Sequence, residues 1–399
     1  MNLGMNINWI HFYVENANAS SDWFVKQMGF QAIAKRCCVQ PFGHENSGAT
    51  LKESAQIASS ASYHTLTNVV KSGAVTIVLS SPLTPASPVA QFLRRHPPGV
   101  ADVAFAVSDL QGVLKGAIAN GAKVLHQSQG SREWAKIAAW GRLTHTLIEF
   151  SGANQLSVPI DQDFLLSMLP SSETTPVSLS FSELTDFSAT ALDFFSGIDH
   201  VVLNVATGDL EAALSWYEDV LGFRRTQSFT IQTEQSGLRS QVLVHPISGV
   251  QFPINEPTSA NSQVQEFLNA NQGAGIQHIA LKTPHIVEVI AQLRQRGLAF
   301  LPIPASYYTQ LYSRYQELNL SLAEFNEIAA QEILVDWDKK SPQALLLQTF
   351  TQPIFEKPTF FFELIERRQE AQGFGEGNFR ALFEAIEREQ IKRGSLPLR

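Results

Sequence analysis

Gly99-Val100-Ala101-Asp102-Val103-Ala104-Phe105 and Gly275-Ile276-Gln277-His278-Ile279-Ala280-Leu281 follow one pattern in two distant parts of the chain. Each run is short, largely apolar and opened by glycine, as a buried strand is. Each is followed by an amphipathic helical pattern and a glycine turn, Asn120-Gly121-Ala122 in one case and Arg296-Gly297-Leu298 in the other. The likeness extends outward from both. Upstream, Trp9-Ile10-His11-Phe12-Tyr13-Val14 is answered by Ile198-Asp199-His200-Val201-Val202-Leu203. A helix ending at Met28-Gly29-Phe30 is answered by one running from Asp209, the expected N-cap, to Leu221-Gly222-Phe223. In the latter, Leu210, Ala213, Leu214, Tyr217 and Leu221 share one helical face. Downstream, Thr144-His145-Thr146-Leu147-Ile148-Glu149 is answered by Thr359-Phe360-Phe361-Phe362-Glu363. A repeat of strand, helix and several further strands accounts for all of these pairs.

Between the two halves, Leu143 to Phe223 contains no Lys or Arg, and Pro170 to Thr190 is rich in Ser and Thr with prolines at 170 and 176. Such composition reads as a linker. The expected division is a first domain at 1–160, a linker at 161–195 and a second domain at 196–399. The repeat resembles the vicinal-oxygen-chelate superfamily. That resemblance implies an α+β fold of two tandem domains, each of paired βαβββ modules forming a half-open barrel.

Composition narrows the partners. The 399 residues are 44% apolar and 17% charged, enough to bury large cores, and carry a formal net charge of −8. That balance argues against nucleic acid and anionic membranes as partners. No apolar window reaches the roughly 18 residues of a membrane span, and Met1 to Trp9 lacks the basic-then-apolar order of a secretory signal. The two cysteines, Cys37 and Cys38, are adjacent and poorly placed to form an unstrained disulfide, which points to a reducing, cytoplasmic compartment.

His200, His278 and Glu363 each lie in a strand-like run at related places of the repeat. Two imidazoles and one carboxylate on one face of a metal make the facial triad of non-heme Fe(II) oxygenases, which leaves positions open for substrate and O2. A single histidine in an apolar run is more often an ordinary core residue. A carboxylate among aromatics, as in Phe360-Phe361-Phe362-Glu363-Leu364-Ile365, is costly unless paired or metal-bound. In the first half Asp102 stands where His278 does and Glu149 where Glu363 does, while the match of His11 to His200 stays open. The first half is therefore expected to be a degenerate, structural copy, with His11 and His145 in packing or hydrogen-bonding roles. His44, His64, His96, His126, His245 and His285 are read as surface or structural.

From Ile198 to Gly394 the chain resembles the 4-hydroxyphenylpyruvate dioxygenase family. The matching segments are Ser236-Gly237-Leu238-Arg239-Ser240, Pro253-Ile254-Asn255-Glu256-Pro257, Gly273 to Thr283, Ile333-Leu334-Val335-Asp336, Leu345 to Thr351, Pro358 to Arg367 and Gly373-Phe374-Gly375-Glu376-Gly377-Asn378-Phe379. The first half is similar only at places such as Phe12 to Ala17 and Thr144 to Leu147, and has Trp140-Gly141-Arg142 where the family usually has Tyr-Gly-Asp. The resemblance implies one Fe(II) per subunit on His200, His278 and Glu363. The substrate would be an aromatic 2-oxo acid, oxidatively decarboxylated and hydroxylated on the ring with side-chain migration to homogentisate. It places Gln348, Gln277, Asn255 and Ser240 as groups acting on the substrate, and Phe350, Phe361, Phe374, Asn378 and Phe379 around it. A final helix, Asn378 to Lys392, with Phe379, Leu382, Phe383 and Ile386 on one face, matches the family's lid over the active site. The implied assembly is a homodimer or homotetramer. The rival readings are 4-hydroxymandelate synthase, then an extradiol catechol dioxygenase or a binding protein without chemistry.

Overall fold

The computed structural model describes residues 4–39, 63–129, 133–150, 193–233, 236–314, 317–318, 320–338, 341–394 and 396. Most of the expected linker and His44 lie outside them, as do the side chains of Cys37 and Cys38.

The first half runs β1 (Met5–Tyr13), α1 (Ala17–Lys26), β2 (Gln31–Val39), β3 (Tyr63–Ser72) and β4 (Val75–Pro82). After α2 (Pro88–Leu93) come β5 (Gly99–Val107), α3 (Leu110–Ala119), β6 (Val124–Gln129), β7 (Glu133–Ala138) and β8 (Thr144–Glu149). The second half repeats this: β9 (Gly197–Asn204), α4 (Leu210–Leu221), β10 (Arg224–Gln232), β11 (Gly237–Val244) and β12 (Gln251–Pro257). Then follow α5 (Gln263–Asn271), β13 (Gly275–Lys282), α6 (Ile286–Gln295), β14 (Leu334–Asp338), β15 (Ser341–Phe350) and β16 (Phe361–Arg367). Two helices between α6 and β14, α7 (Ala305–Tyr312) and α8 (Leu322–Ala330), have no first-half counterpart and were not expected. The chain ends in α9 (Phe379–Arg393).

Each half forms one eight-stranded sheet, ordered β2-β3-β4-β1-β5-β8-β7-β6 and β10-β11-β12-β9-β13-β16-β15-β14. The two orders match place for place. In both, the module-leading strands pair antiparallel at the centre (β1 with β5, β9 with β13), and each also pairs parallel with the last strand of a module. The α+β class and tandem modules are thus as the repeat suggested.

The faces of the two sheets away from the candidate site share one apolar core. Phe12 of the first half meets Phe360 of the second edge-on at 4.9 Å, and Phe24 meets Phe362 at 5.9 Å. Such rings, nearly inaccessible to water, each contribute about 1.5–3 kcal/mol through burial. Helix α4 starts differently from the expectation. Asp209 makes no capping bond through its side chain. Instead Glu256, from β12, accepts the backbone N–H groups of Gly208 and Leu210. A buried carboxylate at the positive end of the helix does the work usually left to a local cap. The far end closes on Gly222 at φ 75°, a left-handed C-cap that glycine adopts without strain.

Candidate metal centre and pocket

The site is built by register. Ala280 of β13 lies opposite His200 of β9 on one side and Glu363 of β16 on the other. His278 is two residues before Ala280, so strand alternation puts all four side chains on one face. The small methyl of Ala280 leaves room for His200 and Glu363 to lean inward. One ligand atom from each of His200, His278 and Glu363 lies within 4.8 Å of the others. His200 Nε2 is 3.2 Å and His278 Nε2 3.7 Å from Glu363 Oε2.

The same ladders settle the first half. Ala104 occupies the place of Ala280, with Trp9 opposite it on β1 and Thr146 on β8. Trp9 therefore stands where His200 does, and His11 pairs with Asp102 as Val202 pairs with His278. The expected match of Glu149 to Glu363 is corrected: Glu149 pairs with Val107, three places further along, and Thr146 holds the Glu363 position. Aligning the two runs by their glutamates hid this offset, which only the hydrogen-bond register reveals.

Charge distribution favours a cation at the second-half cluster. His200 and Glu363 are both 3% exposed. Burial opposes protonation of His200, but the Glu363 carboxylate and the bond to Asp199 outweigh it and lift its pKa to about 9. Burial, with the charge on His200, holds His278 well below the ordinary imidazole value. One proton thus holds His200 to Glu363, in a place where a divalent metal would displace it. The His278 ring stacks on Phe361, 4.7 Å between centroids and 15° apart, which fixes its plane. Two imidazoles, one carboxylate and open space on the far side suit a first-row divalent ion.

Asp199 and Arg367 were not singled out in the sequence. Asp199 Oδ1 accepts the Nδ1–H of His200 at 3.0 Å, leaving Nε2 as the ligating lone pair. Burial opposes ionisation of Asp199, but the hydrogen bonds from Arg367 and His200 prevail and hold the carboxyl far below its usual range. Arg367 grips both Asp199 oxygens, at 2.7 and 2.8 Å. A carboxylate adjoining a histidine in an apolar strand was the available signal, the same reasoning already applied to Glu363.

The pocket beside the cluster is lined by Ser240, Asn255, Gln277, Gln348, Phe350, Phe361, Phe374 and Phe379, together with Phe229, Gln263 and Leu382. Gln277 reaches it through a bulge: Ile276 pairs with Leu203 and His278 with Val202, so Gln277 is the extra residue and turns toward the site beside His278. Asn255 donates to Asn204 Oδ1 at 3.2 Å. The buried Gln348 Oε1 has no hydrogen-bond partner. Gly375, at φ 79°, backs onto Gln348 so closely that a Cβ would fall 1.8 Å from Oε1. Asn378 is placed differently from the expectation. Its Oδ1 accepts from Tyr307 Oη at 2.8 Å, and it borders a separate cleft with Arg314 and Asp336. Position 378 is turned away by the short helical turn Glu376–Asn378 that leads into α9.

Free space in the pocket is about 80 Å³. A cavity holding benzene measures roughly 150 Å³, so an aromatic ligand needs α9, which contributes Phe379, Phe383 and Ile386, to move outward. Midway along α9, Glu387 accepts from the Thr233 and Ser236 hydroxyls at 2.6 Å each. Among the described residues, no helix is long and apolar enough to cross a membrane.

Residues 197–317 match the family model of the Glyoxalase/Bleomycin resistance protein/Dioxygenase superfamily. The chain is 35% identical to 4-hydroxyphenylpyruvate dioxygenase of Yarrowia lipolytica, over 97% of this chain and 92% of the relative. It is 36% identical to the enzyme of that name from Dictyostelium discoideum, over 97% and 98%. A solved triple mutant of 4-hydroxymandelate synthase from Streptomyces coelicolor superposes with a TM-score of 0.74 at 26% identity, covering 96% of this chain and 98% of that one.

Proposed function

The chain belongs to the 4-hydroxyphenylpyruvate dioxygenase family, and from that premise we propose that it converts 4-hydroxyphenylpyruvate and O2 to homogentisate and CO2, using Fe(II) held by His200, His278 and Glu363. The observation that carries this reading is the convergence of two imidazoles and one buried carboxylate at the head of an aromatic-walled pocket. Fe(II) bound there would chelate the 2-oxo acid and activate O2. The chain's own groups do the rest. Asp199 fixes the tautomer of His200. Gln348, Gln277, Asn255 and Ser240 offer hydrogen bonds to the oxo acid and the ring hydroxyl, and the unmatched Gln348 Oε1 suits a donor on the substrate. Phe350, Phe361, Phe374 and Phe379 clasp the ring, and α9 excludes water that would quench reactive species.

The family likeness further supports a cytoplasmic homodimer or homotetramer serving tyrosine catabolism, and the repeated sheets support a division at 1–160, 161–195 and 196–399. The decisive test supplies Fe(II), 4-hydroxyphenylpyruvate and O2 and identifies the product by NMR and mass spectrometry. Homogentisate is expected. 4-Hydroxymandelate would move the chain to the synthase reaction, and no oxygen uptake by iron-loaded protein would remove the substrate assignment.

A further inference from the structure

We propose that Arg367 is a positioning residue that couples the metal site to the lid helix α9. It closes β16, four residues after Glu363, and so faces the same side of the sheet. Two nitrogens of its guanidinium, Nε and Nη2, clamp Asp199, the carboxylate that orients His200. The third, Nη1, donates to the carbonyls of Ala371 at 3.0 Å and Gly373 at 2.9 Å. One planar group therefore binds the support of a metal ligand with one side and the entry to the lid with the other.

The segment it holds is conformationally costly. Gln369 and Glu370, between Arg367 and Ala371, both have positive φ, 48° and 56°. Gly373 at φ 88° and Gly375 at φ 79° flank Phe374, whose ring meets His200 edge-on at 5.1 Å. A chain held in such conformations persists only where its surroundings fix it. Arg367 supplies two of the bonds that fix it, beside the Ala371 N–H to the Arg368 carbonyl at 3.1 Å and Gln372 Nε2 to the Glu370 carbonyl at 2.7 Å. A metal that immobilises the His200 ring steadies Asp199, then Arg367, and through the two carbonyls the loop that delivers Phe374 and α9. Asp199 does not depend on Arg367 alone for charge pairing, since Lys282 Nζ lies 3.4 Å from Oδ2, the oxygen that Arg367 Nε also bonds. Lysine at 367 keeps a cation near Asp199 but lacks the geometry to hold the carboxylate and both carbonyls together.

The inference rests on the metal reading of the site but not on the identity of the substrate. The test uses Co(II) as the probe on the full chain, with affinity from isothermal titration and backbone hydrogen exchange followed over residues 374–393. In the wild type, Co(II) should slow exchange of the lid severalfold. Arg367→Lys should bind Co(II) about as tightly as the wild type, while its lid exchanges at the metal-free rate at saturating metal. Should Arg367→Lys fold poorly, the pair Asp199→Asn/Arg367→Gln removes both buried charges together. It should bind Co(II) about tenfold more weakly, again without lid protection at saturation. Wild-type-like protection in either variant overturns the coupling, as does an unprotected lid in metal-loaded wild type. Failure of the wild type to bind Co(II) at all removes the metal reading with it.

Discussion

The two sheets share strand order, the register of their central strands and even the bulge at Gln277 in one and Ala101 in the other, yet their equivalent faces serve opposite ends. In the second sheet, His200, His278 and Glu363 surround Ala280 and face the pocket under α9. In the first, Trp9, Asp102 and Thr146 surround Ala104. There Trp9 and Trp134 fill the concavity with Val69, Val78 and Ile148. Polar groups there turn toward one another: Asp102 Oδ1 accepts from the Thr144 and Thr146 hydroxyls at 2.6 and 3.0 Å, with Lys136 Nζ at 3.8 Å, while the buried Asp102 Oδ2 has no hydrogen-bond partner. A scaffold whose geometry converges three side chains thus becomes a reactive site or a second core according to three residues. The architecture supplies convergence, and the side chains decide whether the space is filled.

The most severe test of that contrast gives the second sheet the first sheet's side chain. His278→Asp, like His200→Ala or Glu363→Ala, should abolish turnover and lower bound metal, with the circular dichroism spectrum unchanged. Oxygen uptake and metal analysis read both quantities. Turnover at the wild-type rate in any of the three would mean that the convergence on this face is not the reactive centre.

The reciprocal test empties the first sheet. Trp134 is 2% exposed and stacks on His126 at 4.6 Å. Trp134→Ala should cost about 3–5 kcal/mol of stability through the cavity it leaves, read by urea unfolding. The kcat of the folded fraction should not change, because nothing in that sheet lines the pocket. A fall in kcat without a fall in stability would give the first half a part in turnover that packing does not explain.

The repeat was legible because it rests on local patterns: apolar runs, glycine turns and the helical face of Leu210, Ala213, Leu214, Tyr217 and Leu221. The three ligands were legible because a histidine or carboxylate stands out in a strand that is otherwise apolar. What the sequence hid is long-range. The capping of α4 by Glu256 joins residues 46 and 48 positions apart. The Arg367–Asp199 clamp spans 168 positions. The offset between Glu149 and Glu363 is a matter of ladder register, which no apolar periodicity encodes. Asn378 looked like a pocket residue beside Phe379, yet one helical turn sends neighbours in opposite directions.

A smaller difference between the sheets concerns protons. The second-half cluster stabilises charge on a histidine, whereas the first half keeps the half-buried His11 and the buried His145 neutral. Burial, aided by the Lys136 charge, depresses His11 to about 3. Burial depresses His145 to about 4, against the opposing pull of the Val103 carbonyl and Asp102. His145 donates from Nδ1 to the Val103 carbonyl at 3.0 Å and, while neutral, accepts at Nε2 from the Tyr217 hydroxyl of α4 at 3.1 Å, so it joins the halves. Above pH 6.5 both folded and unfolded chains carry these rings uncharged, and stability is undiminished. Below it the unfolded chain takes up protons that the folded rings refuse. Each ring then removes about 1.4 kcal/mol per pH unit until its folded pKa is reached. Between pH 6.5 and 5, His145 alone accounts for about 2 kcal/mol. His145→Gln should be less stable than the wild type at pH 7 yet lose less on acidification, by that amount, in paired urea titrations at the two pH values. Parallel losses in both proteins would mean that the His145 ring is protonated as readily inside the fold as outside it, and that this junction between the halves does not require a neutral imidazole.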